Sequence, residues 1–182
     1  MNPTEALLVV DLQRAFDEPD WGARNNPECE ANVARLIDDF RRRGEAVVFV
    51  RHDSLEPGSP LARDHQGNQF KPEVTGEPDL LVTKNVNSAF LGEPDLGGWL
   101  TERGIDRIAV CGIQTNMCCE TTARMGGNLG YDVSFVIDAT ATFDHVGPDG
   151  ETYPADLLAR VTAANLDGEF ATVVTTADYL KR

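Results

Sequence analysis

The feature that most restricts how this chain can fold is a series of six short apolar runs, most of them separated by stretches of helical periodicity. The first, Ala6-Leu7-Leu8-Val9-Val10, is continuously apolar and stops at Asp11. That pattern marks a strand buried on both faces, not one alternating between core and water. A second such run is Ala46 to Val50; between the two, Val33, Leu36, Ile37 and Phe40 recur at helical spacing and end at Gly44. Strand, helix, strand is the predicted order there. Further strands are predicted at Asp79–Thr83, Arg107–Cys111, Val133–Ile137 and Ala171–Thr175, with helices around Leu96–Arg103, Asn116–Leu129 and Ala155–Leu166. Six strands alternating with helices imply an α/β protein: a six-stranded, mainly parallel sheet covered on both sides, a three-layer α/β/α fold. At 182 residues with 41% hydrophobic content, the chain can build one substantial core, so a single domain over 1–182 is expected. Ligand sites in such sheets form at the carboxyl ends of strands. The stretch from His52 to Pro78 has no periodicity and is rich in Gly, Pro and Asp; a loop that long usually covers a site or is mobile.

Charge excludes two classes of partner. With 30 acidic against 16 basic residues the formal charge is −14, which repels phosphate backbones and anionic membrane surfaces. No nucleic acid and no membrane partner is expected. The apolar run after Glu5 is far shorter than a signal h-region or a membrane span, so a cytoplasmic location is expected. The four cysteines, Cys29, Cys111, Cys118 and Cys119, show no C-x-x-C spacing, and in a reducing compartment they would be free thiols.

Asp11 ends the first strand, Lys84 follows the third, and Cys118 comes after the fourth, so all three are expected at the carboxyl edge. Each alone fits a solvated strand end; together at one edge they suggest chemistry. Lys84 is also one of only three lysines beside 13 arginines. Lysine is a compact charge whose pKa shifts readily on burial, where arginine is a fixed planar fork. Thr115 or Asn116 suits a helix N-cap, which would put Cys118 in a first turn whose free amides and dipole favour a thiolate. Cys119, about 100° further round, must face elsewhere. Cys111 in an apolar strand and Cys29 near the first helix read as inert core thiols.

These motifs, taken in order, resemble the isochorismatase-like cysteine hydrolases, the group that includes nicotinamidases, N-carbamoylsarcosine amidohydrolases and ureidoacrylate-type amidohydrolases. The resemblance rests on Val10-Asp11-Leu12-Gln13 with Phe16, on Thr83-Lys84 followed by Ser88-Ala89-Phe90, and on Gly112-Ile113-Gln114-Thr115-Asn116-Met117-Cys118 running into Thr121-Thr122-Ala123-Arg124. It spans nearly the whole chain and implies the isochorismatase-like, Rossmann-like fold. It also implies Asp11 as general base, Lys84 as electrostatic partner and Cys118 as nucleophile. A cis peptide between Ile113 and Gln114 would let the amides of Gln114 and Cys118 form an oxyanion hole. Cys119 stands where the family commonly has valine. Where Cys118 stands, vinyl-ether-cleaving isochorismatases often have glycine, which favours amide chemistry here.

Metal-bearing nicotinamidases carry Asp-x-His after the second strand with further histidines downstream. This chain has Arg51-His52-Asp53, then His65 and His145, so no metal and no cofactor is expected. The predicted function is hydrolysis of an amide, lactam or ureido C–N bond of a small molecule through a thioester. The alternatives are an isochorismatase-type vinyl-ether hydrolase and a non-catalytic binding protein. Phe16, Trp21, His52 and Phe143 are the candidate substrate-binding residues, and relatives of this kind suggest a homodimer or homotetramer.

Overall fold

The computed structural model describes residues 3–182. Its sheet is built from β1 (Glu5–Val10), β2 (Ala46–His52), β3 (Leu80–Lys84), β4 (Arg107–Ile113) and β5 (Asp132–Ala141). After a short antiparallel hairpin of β6 (His145–Val146) with β7 (Thr152–Tyr153), the last strand is β8 (Thr172–Val174). The sheet order is β3-β2-β1-β4-β5-β8 and every pairing in it is parallel. The helices are α1 (Cys29–Arg43), α2 (Leu96–Arg103), α3 (Glu120–Asn128), α4 (Ala155–Leu166) and the short α5 (Thr176–Tyr179). Among the described residues no helix is long and apolar enough to cross a membrane.

The period-two geometry of a strand explains why β1 reads as unbroken apolar sequence: successive side chains go to opposite faces, and both faces are covered. Leu7 and Val9 join one core with Val33, Leu36, Ile37 and Phe40 of α1. Ala6, Leu8 and Val10 join a second core with Leu96 and Leu100 of α2, Ala123 of α3 and Leu166 of α4. The predicted three layers and six parallel strands are therefore observed. Boundaries differ at the ends: β5 runs on from Ile137 to Ala141, and Lys84 is the last residue of β3 instead of the residue after it. The extension of β5 is real pairing, since Thr140 and Ala141 meet Gly112 and Ile113 across a register shift.

Chain order reverses between β1, whose other neighbour is β2, and β4, which leads on to β5. The crevice at the carboxyl ends of these two central strands is where a parallel sheet of this kind holds ligands. Close approach there needs glycine. Gly112 has φ +122°, and a Cβ at that position would lie 1.9 Å from the carbonyl oxygen of Val10. No side chain fits between the two strands at this level.

Candidate active site

Three strand ends deliver the site. Asp11 follows β1 in a left-handed bend, φ 49°, unusual for a residue with a side chain but best tolerated by Asp and Asn. Its amide donates to the carbonyl of Val50 at 2.9 Å, and its own carbonyl accepts from Gln13. The bend aims the carboxylate into the crevice. Lys84 extends from the end of β3, with its Nζ 2.6 Å from Asp11 Oδ2. Both side chains in this ion pair are 0% exposed. The same ammonium lies 3.4 Å from Cys118 Sγ and 3.3 Å from His52 Nδ1. Asp11, Lys84 and Cys118, read separately from sequence, thus form one contact cluster. Asp11 Oδ1 is buried and has no hydrogen-bond partner among the described residues.

Cys118 sits on a π-helical turn, Thr115–Cys119, that precedes α3. Gln114 occupies the N-cap position in extended conformation, and no side chain caps the turn. The expected capping by Thr115 or Asn116 is not what these side chains do. Thr115 Oγ1 bonds Thr140 Oγ1 at 2.8 Å, and Asn116 Oδ1 accepts from Thr142 Oγ1. They tie the turn to the end of β5, a tertiary use that local sequence does not announce. The peptide between Ile113 and Gln114 is cis, as the resemblance implied. Among the described residues, neither the Gln114 amide nor the Cys118 amide donates to a side chain or a loop carbonyl. Cys119 is fully buried in the core on the far side of the turn, while Cys118 keeps 9% of its surface. Cys29 and Cys111 are fully buried as well.

The electrostatics correct one expectation. Burial, and next the negative charge of Asp11, push the Cys118 thiol up to about 12, although Lys84 pulls the other way. Both causes favour the thiol over a stored thiolate. Burial would lower the Lys84 ammonium, but the charge of Asp11, together with Cys118 and the hydrogen bonds to both, more than reverses this, so it stays protonated. Burial and then Lys84 lower His52, which leaves its neutral Nδ1 free to accept from the ammonium.

A cavity of about 530 Å³ opens above Cys118, within the range of small-molecule sites. Trp21, His52 and Phe143 line it, as expected. Phe16 does not: it lies in the core behind the wall, its ring stacked 6.1 Å from Phe143 and tilted against Trp21 at 4.9 Å. It is a support for the aromatic wall and not a wall residue. Sequence reading missed Leu55, Glu56, Leu61, Asn87, Met117, Asp144 and His145, all of which reach the cavity. Asn87 comes closest to the chemistry, its Oδ1 3.8 Å from Cys118 Sγ. The long loop from Asp53 to Asp79 does cover the site. Asn68, buried within it, donates to the carbonyls of His52 (3.0 Å) and Leu61 (2.9 Å), and Gln13 Nε2 holds the carbonyl of Asn68 at 2.9 Å.

Metal-ligating atoms of Asp11, His52 and Cys118 lie within 4.8 Å of one another. A cation already serves that triangle, because Lys84 Nζ touches all three groups. A metal ion would have to displace a buried ammonium, so the donor set does not fit one. Asp53 is taken up by Arg51 at 2.8 Å and Arg63 at 2.9 Å, and His65 Nδ1 accepts from the Gly67 amide.

The comparison with known proteins agrees with the family resemblance of these motifs. The isochorismatase domain profile matches residues 5–178, so the chain belongs to the isochorismatase family of hydrolases. It is 36% identical to the isochorismatase family protein YrdC of Bacillus subtilis, over 97% of this chain and 94% of that one. It is 35% identical to nicotinamidase 3 of Arabidopsis thaliana, over 97% and 87% respectively. The crystal structure of an isochorismatase-family hydrolase from Chromobacterium violaceum superposes with a TM-score of 0.92 at 38% identity, covering 100% of this chain and 93% of that one.

Proposed function

We propose that this hydrolase cleaves a carbon–nitrogen bond of a small amide, lactam or ureido compound through a thioester on Cys118. The observation that carries the reading is the division of labour at Asp11. Oδ2 is held by Lys84 at 2.6 Å, while Oδ1, buried and unpartnered, is free to accept a proton beside a protonated thiol. An amide carbonyl is a poor electrophile, so its cleavage needs a strong nucleophile, a proton shuttle and a partner for the developing negative oxygen.

As Cys118 Sγ bonds to the carbonyl carbon, its proton passes to Asp11. The carbonyl oxygen gains the negative charge, and the amides of Gln114 and Cys118 are available to it. Collapse of the tetrahedral species breaks the C–N bond, and Asp11 returns the proton to the departing nitrogen. Water, deprotonated by the same carboxylate, then attacks the thioester and releases the acid and the free thiol. Lys84 holds the cluster's charge at each stage. A thiol raised to about 12 requires this coupled transfer, because a preformed thiolate would be scarce near neutrality. The relationship to nicotinamidase 3, named for an amide substrate, supports the class of bond.

The test is an ammonia- and amine-release screen over small amides, lactams, ureido acids and cyclic imides, with isochorismate in parallel. Release of ammonia or amine is expected. Pyruvate from isochorismate with no nitrogen released would instead make the chain a vinyl-ether hydrolase.

A further inference from the structure

The charge of the cavity lining is uneven in a way the catalytic cluster does not require. Among the described residues the lining contains two carboxylates, Glu56 and Asp144, and no arginine or lysine. His52 is held neutral, and the one nearby ammonium, Lys84, is spent on Asp11 behind the thiol. Two aromatic rings, Trp21 and Phe143, stand 5.7 Å apart in the same wall, and ring faces attract cations. The whole chain, these two carboxylates included, carries a formal charge of −14, a field that draws cations toward a cleft and turns anions away.

Building on the amide-hydrolase reading, we propose that the cavity takes amides that are cationic, or at least neutral, away from the scissile bond and rejects those bearing a carboxylate or phosphate. Glu56 and Asp144 are the specificity-determining residues. A site for a carboxylate-bearing substrate would be expected to present a guanidinium or ammonium within reach, and this lining has none. Asp144 is held in position because its Oδ1 accepts from the Ala155 amide at the start of α4. Glu56 lies on the exposed part of the long loop, between Leu55 and Ser59 at the mouth.

The experiment does not depend on turnover. Cys29, Cys111 and Cys119 are fully buried, so thiol reagents in the folded protein report on Cys118. The rates of labelling by trimethylammonium-ethyl methanethiosulfonate and by sulfonatoethyl methanethiosulfonate are compared, each normalised to its rate with 2-mercaptoethanol. The normalised cation-to-anion ratio is expected to be about tenfold or more at low ionic strength and to fall with added salt. Glu56→Gln with Asp144→Asn, both near-isosteric, should lower it severalfold at the same ionic strength, the remainder being the field of the rest of the chain. A ratio at or below one in the wild type, a ratio unchanged in the double variant, or failure of both reagents to reach Cys118 would each overturn the proposal. Turnover of pentanamide, 4-(trimethylammonio)butanamide and glutaramate then separates the two readings. No ammonia from any amide would count against amide hydrolysis, while a preference for glutaramate would count against the charge selection alone.

Discussion

The two ends of the sheet make an instructive pair, because each gathers charged side chains around a cavity. At the amino end Glu5, Asp39, Arg43, Arg107, Asp132 and Arg182 surround a space of about 180 Å³. At the carboxyl end Asp11, Lys84 and Cys118 lie beneath one of about 530 Å³. The ion pairs differ in solvation. Arg43 to Glu5 is 3.3 Å with the Arg43 side chain 32% exposed, whereas both side chains of the Asp11–Lys84 pair are fully buried. A partly solvated pair is worth little to either stability or chemistry. A fully buried pair costs desolvation that its attraction barely repays, and its persistence beside a nucleophile and a spare acceptor oxygen is best explained by function.

Substitutions at the two ends should break this contrast if it is wrong. The largest effect belongs to Cys118→Ala, which should reduce amide turnover to background with an unchanged melting temperature, since a nucleophile but little buried volume is lost. Next is Lys84→Arg. A planar guanidinium cannot replace a point ammonium in that space, so kcat should fall by roughly 10²-fold or more in steady-state assays, the scale of one preorganised electrostatic group. Cys119→Ala should cost about 1 kcal/mol in denaturant unfolding, for a small core gap, and leave kcat near the wild-type value. Smallest is Arg43→Ala at the amino end: about 1 kcal/mol or less of stability and no change in kcat. A rate defect in the Arg43 variant, or a silent Lys84→Arg, would erase the distinction between the ends.

The same contrast shows what the sequence discloses. The buried strands were legible because burial on both faces leaves an unbroken apolar run, as in Ala6 to Val10, and chain order then puts Asp11, Lys84 and Cys118 at one edge. The roles of these residues came from the resemblance of their motifs, not from spacing. Other features have no local signal. The left-handed bend at Asp11 depends on pairing with β2, through the bond from its amide to Val50. Thr115 and Asn116 look like helix caps but bond across to β5. Phe16 was expected in the cavity and lies behind it, while Asn87 after β3 and the adjacent Asp144 and His145 after β5 reach it from two separate segments. The expectation of a ready thiolate failed for an energetic reason: a helix start favours negative charge by about 1 kcal/mol, and burial beside a carboxylate outweighs that.

The central claim is that Asp11, Lys84 and Cys118 act as one charge cluster, and the reactivity of the thiol tests it most directly. Well below the raised thiol pKa, the rate of iodoacetamide labelling at Cys118 is proportional to the small thiolate fraction. Measured at one pH near 8, Asp11→Asn removes the negative charge that raises the thiol and should label faster than wild type. Lys84→Met removes the positive charge that lowers it and should label more slowly. Asn suits the left-handed bend at position 11, and near-ultraviolet circular dichroism checks that both variants keep the native packing. Opposite shifts are the predicted result; no shift in either variant, or shifts of the same sign, would contradict the cluster.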